Sequence, residues 1–245
     1  MYDKARIPNI EVQTKSASSD LNATVYTDTQ QQITVNVHQA CAIKHEDIAK
    51  LLSKNDVMDE MARKMGYALG RAVDVNLASL AQNYSQTVGT YGVETTLDNL
   101  LRCVQYVEDA GYDMHSDMTW FISPAVSSGL GKIDAFTNAL YIGEAAAVSA
   151  HRDATIGKFK GATMVVSNLL RSPASGQHDS FLLHRETAAL IMAQESKTTT
   201  ERIALALADV LVKDQIYGYS EVDRYSETPG NITATDEGAV LIKSV

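Results

Sequence analysis

The chain of 245 residues is short of most features that announce a function. It has two cysteines, Cys41 and Cys103. Neither lies in a CxxC pair or at metal-ligand spacing, which speaks against a disulfide scaffold or thiolate metal site and leaves two reduced, partly buried thiols. No run of about 18 apolar residues occurs, and the N-terminus has no basic stretch followed by an apolar core. Neither a transmembrane helix nor a signal peptide is therefore expected, and the expectation is a soluble protein made in the cytosol. Positive charge is in deficit: 21 Lys and Arg against 30 Asp and Glu leave a formal −9. Such a surface repels nucleic acid on average and argues against sequence-specific DNA binding, while leaving room for a local basic face.

Catalytic and cofactor motifs are missing as well. Gly129-Leu130-Gly131-Lys132 resembles the end of a phosphate loop, but Val126 stands at the position of its first glycine and Ile133 where Ser or Thr would bind magnesium. No GxSxG elbow exists, so Ser123 is expected to be the polar end of a strand. His38, His45, His115, His151, His178 and His184 are scattered without an HxxxH or HExxH pair, which gives no metal site. His184, next to Arg185 and Glu186, comes nearest to a cluster, and a structural role is expected for it. The carboxylates show no convergent pair along the sequence. No catalytic residue, cofactor or metal is assigned.

What the sequence does contain is pattern. Ile10 and Val12 alternate with Glu11 and Gln13, and Ile33, Val35 and Val37 alternate with Thr34, Asn36 and His38, a period of two on both arms. The Ser-, Thr-, Asp- and Asn-rich segment from Lys15 to Asp28 competes locally for backbone hydrogen bonds and favours a loop. The first 45 residues thus read as a long hairpin with too few apolar groups to fold alone, either an arm for a neighbouring subunit or a cover for its own domain. A short helical turn over His45–Leu52 is expected next. From Asp56 to Leu80 an apolar stripe through Met58, Met61, Met65, Leu69 and Ala72 predicts one helix of about 40 Å, with Asp56, Asp59 and Glu60 at its N-terminal turn. Lys54, Arg63, Lys64 and Arg71 fall off that stripe and form a basic outer side.

After a loop at Asn83–Gly92, a helix capped by Thr95 or Thr96 runs to Gly111 through Leu97, Leu100, Leu101, Val104 and Val107. Met118–Ile122 reads as a strand, Pro124–Lys132 as a helix and Ala162–Val166 as a strand. A loop follows at Arg171–Asp179, then an apolar stretch at Phe181–Gln194 that periodicity leaves open between strand and helix. Arg202–Gly218 reads as buried structure, Tyr225–Thr235 as a loop, and Ala239–Val245 as a closing strand. Helices alternating with strands make the class α+β or α/β.

The order of these segments, with Trp120-Phe121-Ile122-Ser123-Pro124, Ile156-Gly157-Lys158-Phe159-Lys160-Gly161-Ala162, His184-Arg185-Glu186-Thr187-Ala188 and Ile216-Tyr217-Gly218, resembles the major capsid proteins of tailed bacteriophages, whose fold is shared with herpesviruses and encapsulin shells. The resemblance covers essentially the whole chain. It implies an α+β tailed-phage major capsid fold: an extended loop at 1–45, a spine helix with part of a peripheral domain at 46–92, an axial domain at 93–180, and return strands shared by both domains at 181–245. It implies no enzyme but a shell subunit that self-assembles into hexamers and pentamers around a double-stranded DNA genome, in a virion built in the host cytoplasm. The implied partners are copies of itself, a portal protein, scaffolding or decoration proteins, and packaged DNA contacted non-specifically, with no membrane. Intersubunit contacts fall to Ile10, Val12, Lys15, Val25, Ile33, Val35 and Val37 of the extended loop, and Lys54, Arg63, Lys64 and Arg71 become candidate lumen-facing residues.

Members of the family usually carry an arm before the extended loop, and here the loop begins almost at Met1. Some members crosslink a loop lysine to a neighbour's asparagine. Lys15 is the lysine near this tip, and no partner residue is assigned. Two alternatives stand beside the capsid expectation: an encapsulin-like nanocompartment shell enclosing enzymes, and a soluble α/β enzyme with a site assembled from residues such as Asp117, His151 and His184.

Overall fold

A computed structural model of the chain describes residues 2–6, 12–17, 20–21, 29–47, 57–133, 136, 157–222, 224–225, 234–235 and 238–245. Statements about the structure concern these residues. In chain order they form β1 (Tyr2–Arg6), β2 (Thr29–Ile33), β3 (Val37–Glu46), α1 (Val57–Ser79), a 3-10 turn at Leu80–Asn83, β4 (Thr87–Gly89), α2 (Leu97–Asp109), β5 (Met118–Ile122) and α3 (Pro124–Leu130). There follow β6 (Lys158–Phe159), β7 (Ala162–Val166), β8 (His178–His184), β9 (Ala188–Ile203), a 3-10 turn at Ala204–Ala206, β10 (Ala208–Glu221), β11 (Arg224–Tyr225), β12 (Ala234–Thr235) and β13 (Ala239–Ser244). The chain divides into two compact units, one drawn mainly from 32–77 and 190–220, the other from 3–31, 78–189 and 221–245.

The first unit is a helix on a three-stranded sheet of order β3-β10-β9. β3 and β10 pair antiparallel over ten residues, from Ala208 opposite Glu46 to Tyr217 opposite Val37. Odd positions of β3 are the more covered ones, as the pleat requires when one face is packed. The 23 residues of α1 span about 35 Å at 1.5 Å per residue. Met65 and Leu69 are buried, while Met58, Met61 and Ala72 are half-buried, so the deepest contact lies at the centre of the helix.

The second unit is a six-stranded mixed sheet of order β4-β13-β8-β5-β7-β6. Its central strands are covered on both faces. On one face Trp120, Ile122, Leu182, Val240 and Ile242 join Leu100, Cys103, Val104 and Val107 of α2; on the other, Phe181, Ala239 and Leu241 pack with Ala81 and Tyr84. That two-sided burial explains why 181–183 and 239–242 are unbroken apolar runs, and why periodicity leaves the first of them open between strand and helix. α2 begins where Thr96 Oγ1 accepts from the Asn99 amide and stops before Gly111, whose φ of +80° is in the left-handed region. Burial pushes the Cys103 thiol up to about 12, which keeps it protonated at neutral pH.

One fastening of this unit has a measurable pH signature. Asp179 is buried; its Oδ1 accepts from Tyr91 Oη at 2.6 Å, and Arg171 Nη1 lies 3.6 Å from its Oδ2. Desolvation first, then the adjoining carboxylate, pushes the Tyr91 phenol up to about 12. The neutral phenol is therefore favoured by folding, so its contribution is complete below pH 10 and is lost as pH rises from 10 towards 12. Tyr91→Phe is expected to cost about 1.5 kcal/mol at neutral pH by removing the close donor to a buried carboxylate. It should also flatten the fall in melting temperature above pH 10.

Several expectations need correcting. β1 pairs with β2, so the arms of the hairpin are 2–6 and 29–33 rather than 10–15 and 32–38. Val12–Ser16 have no regular secondary structure. Residues 34–36 break the second arm, placing Val35 between two strands that belong to different sheets. His45 and Glu46 end a strand, held opposite Asp209 and Ala208; of the expected helical turn, Asp47 is helical and 48–52 lie outside the described residues. The loop at Asn83–Gly92 contains β4, a short strand parallel to β13. The apolar stretch 181–194 is the end of β8 and the start of β9, joined by a turn at 185–187. Among the described residues no helix is long and apolar enough to cross a membrane.

Candidate assembly surfaces

Polar side chains lock the helix onto its sheet. Asn76 Nδ2 donates to Tyr217 Oη at 2.7 Å, Tyr217 Oη donates to Gln39 Oε1 at 3.0 Å, and Gln215 Nε2 donates to the Leu69 carbonyl at 3.1 Å. Burial raises the Tyr217 phenol above its ordinary value. Buried polar groups of this kind are satisfied in one geometry and costly in others, so they fix the rotation of α1 about its axis. The opposite side of the helix carries exposed Arg63, Lys64, Tyr67 and Arg71. Lys64 pairs with Glu60 at 2.9 Å, a contact that holds the Glu60 carboxyl below and the Lys64 ammonium above their ordinary ranges. Both groups are solvent-exposed, so the pair adds little stability. Lys54 lies outside the described residues.

The N-terminal ribbon gives a divided picture. Ile33 is buried, and Val35 and Val37 are half-buried, so these three are held by their own chain. Gln31 Nε2 also donates to the Glu221 carbonyl at 2.9 Å. The connection between β1 and β2 is different: Val12 is 94% exposed, and Lys15 and Leu21 are exposed too. Ile10 and Val25 lie outside the described residues. The base of the ribbon is thus anchored, and its described outer part presents apolar groups to solvent.

A third surface was missed by periodicity. Arg202–Gly218 reads as buried, yet Ile203, Leu205 and Leu207 are exposed, Leu205 completely (102%) and Leu207 at 64%. They form the turn between β9 and β10. Arg202 holds this turn by a fork, with Nη1 and Nη2 each 2.6 Å from an oxygen of Asp47, and Nη1 also 3.1 Å from Asp209. Those two carboxylates raise the guanidinium pKa further. The Leu207 amide donates to the Ala204 carbonyl, and the Leu207 carbonyl accepts from the Asp47 amide at 3.0 Å. Leu207 itself sits at φ +44°, ψ +47°, a left-handed conformation that costs a branched residue on the order of 1–2 kcal/mol. No residue here signals a turn, since Ile-Ala-Leu-Ala-Leu-Ala contains no Gly, Pro, Asn or Asp.

Of the residues considered for chemistry, Ser123, Lys132, His184 and Asp117 make structural contacts. Ser123 Oγ accepts from the Val126 amide and so caps α3. Lys132 pairs with Glu94 at 2.5 Å. The His184 ring lies 4.9 Å from that of Tyr112, and its Nδ1 accepts from the Glu186 amide. Asp117 occupies a left-handed turn at φ +54°, and its carbonyl accepts from the Arg185 amide. His151 lies outside the described residues. No group of three or more metal-ligating side chains is found among the described residues.

No family model matches this sequence, and no curated protein sequence does either. Solved structures match over nearly the whole chain. A structure from Mycobacterium phage Che8 aligns at TM-score 0.77 and 17% identity, covering 98% of this chain and 83% of the other. The capsid of Cyanophage P-SCSP1u aligns at 0.76 and 14%, covering 100% and 83%. The acid-stable capsid of Helicobacter pylori bacteriophage KHP30 aligns at 0.77 and 10%, covering 99% and 84%. At these identities the likeness is one of fold, and the chain has the α+β fold of phage capsid structures.

Proposed function

We propose that this chain is a structural subunit of an icosahedral phage capsid, assembling with copies of itself into hexamers and pentamers that enclose double-stranded DNA. The observation that carries this reading is the extent of the fold match: a capsid structure aligns with 100% of the chain. The exposed connection of the ribbon supports it, because a shell subunit needs edges for neighbours and no active site.

In this reading the unit built on the six-stranded sheet is the axial domain and the unit of α1 with its three-stranded sheet is the peripheral domain, α1 serving as spine helix. The extended loop reaches a neighbour through Val12 and Lys15, while Ile33, Val35 and Val37 anchor it. Arg63, Lys64 and Arg71 face the lumen and meet DNA non-specifically. The formal charge of −9 keeps that contact weak, so DNA can pack and leave. A portal protein and scaffolding or decoration proteins complete the virion, which is assembled in the host cytoplasm.

Electron microscopy of the purified protein, with light scattering for mass, tests the proposal. Closed polyhedral particles, or hexamer and pentamer rings, are the expected result. A monodisperse monomer or dimer under all assembly conditions would overturn it. Nuclease-protected DNA in particles from the native source separates a genome container from a shell that encloses protein cargo.

A further inference from the structure

The exposed side of α1 brings an aromatic ring and cations together on an otherwise acidic chain. Between Met61 and Val73 stand three cations, Arg63, Lys64 and Arg71, and no carboxylate, in a chain whose formal charge is −9. All three are exposed, and among them Tyr67 is 75% exposed. Tyr84, Tyr112, Trp120, Phe181 and Tyr217, by contrast, are buried, which removes their large apolar area from water. Arg63 precedes Tyr67 by one helical turn and Arg71 follows it by one, so both share its face and lie about 6 Å to either side along the axis. Gly70, on the same side, has nothing within 4 Å of where a Cβ would be, which leaves that flank of the helix open. Asp59 and Glu60 bound the stretch at one end and Asp74 at the other. Glu60 holds Lys64 at 2.9 Å, in a solvent-exposed pair that exchanges at little cost.

We propose that this side of α1 is a binding site for nucleic acid with unpaired bases, Tyr67 stacking on a base while Arg63, Lys64 and Arg71 engage the phosphates around it. The inference deepens, and rests on, the reading of these three cations as a nucleic-acid contact. Cations alone would serve any polyanion, duplex DNA included. The tyrosine is what discriminates: a duplex keeps its base faces against one another, so an exposed ring gains a stacking partner only where a base is unpaired. In a duplex genome such bases occur at ends and gaps. Helical spacing sets the size of the site. Arg63 and Arg71 are about 12 Å apart along the axis, the reach of roughly three or four nucleotides of one stacked strand at about 3.4 Å each. Asn76 and Gln215 hold α1 in one rotation on its sheet, so little freedom is lost when this face is occupied. An acidic peptide would satisfy the charges and leave Tyr67 without a planar partner.

Fluorescence anisotropy tests this on the full chain as unassembled subunits, titrated against a labelled oligothymidylate, an abasic strand and a duplex of equal length. Tyr67→Ala is expected to weaken oligothymidylate binding about tenfold while leaving duplex and abasic-strand binding, circular dichroism and melting temperature unchanged. Tyr67→Phe keeps the ring and should bind like the parent chain. Three phosphate contacts on a single strand should give a slope of about −2 when the logarithm of the binding constant is plotted against that of salt concentration. Should Tyr67→Ala fail to fold, Tyr67→Leu, apolar but unable to stack, takes its place with the same expectations. If the variant binds oligothymidylate as the parent chain does, or loses abasic-strand binding equally, the stacking role falls while the cationic contact stands. If no nucleic acid binds, or polyglutamate binds as tightly as oligothymidylate, the cationic contact falls with it. Particle formation judges the shell reading separately.

Discussion

Removal of Ser16–Asp28 is expected to leave a folded subunit that no longer forms shells efficiently. The described residues of this connection, Ser16, Ala17, Asp20 and Leu21, are exposed, and none of these four belongs to either hydrophobic core. Shortening a surface connection changes stability by less than about 1 kcal/mol, since closure entropy depends only weakly on loop length. Assembly should respond far more. If the connection lies on a neighbour, its loss removes one contact from every subunit, and about 1.4 kcal/mol per contact already lowers that contact's equilibrium constant tenfold. Circular dichroism should match the parent chain while sedimentation finds mostly small species. Normal particle yield from the deleted chain would show that the connection covers its own subunit.

Gly218→Val is expected to destabilise the subunit by about 3 kcal/mol, the upper end for forcing atoms into a packed site. A Cβ at position 218 would meet the Thr34 carbonyl oxygen and come within 2.8 Å of the Val35 Cα. Both are backbone atoms, so no side chain can rotate aside. Residues 34–36 join β2 to β3, so displacing them disturbs the start of β3, where Val37 lies opposite Tyr217. Denaturant melts should show a lower midpoint with little change in slope, and shell formation should suffer even at temperatures where the subunit stays folded. A variant as stable as the parent chain would mean that this junction yields more readily than its packing implies. Gly70 serves as the control, because nothing lies within 4 Å of where its Cβ would be, and Gly70→Ala on the exposed side of α1 should stabilise the helix by roughly 1 kcal/mol.

Much of the local architecture could be read from residue order. Helix α1 declared itself through Met58 to Ala72, because a stripe repeated over several turns has few competing interpretations. α2 did so through its Thr96 cap and Gly111 stop, and β5, β7 and β13 through short apolar runs bounded by turn residues. Where reading failed, two sequence-distant segments had to meet. Nothing near Ile10 or Val12 reveals that the partner of β2 is 2–6, since alternation specifies a face and not an opposite strand. The 203–207 tip was read as buried because three apolar residues in alternation look the same in a core strand and in an exposed turn.

The sequence by itself determined the class of fold, the long helix with its basic outer side, and the absence of recognisable catalytic spacing, because each depends on residues close together in the chain. Tertiary structure alone decided which surfaces are free. Burial at Ile33 and exposure at Leu205 depend on what folds over each residue, and that is set by contacts such as Arg202 with Asp47, 155 residues apart. A hydrophobic side chain records a preference for leaving water; only the assembled fold shows whether its own chain satisfies that preference or leaves it for a neighbour.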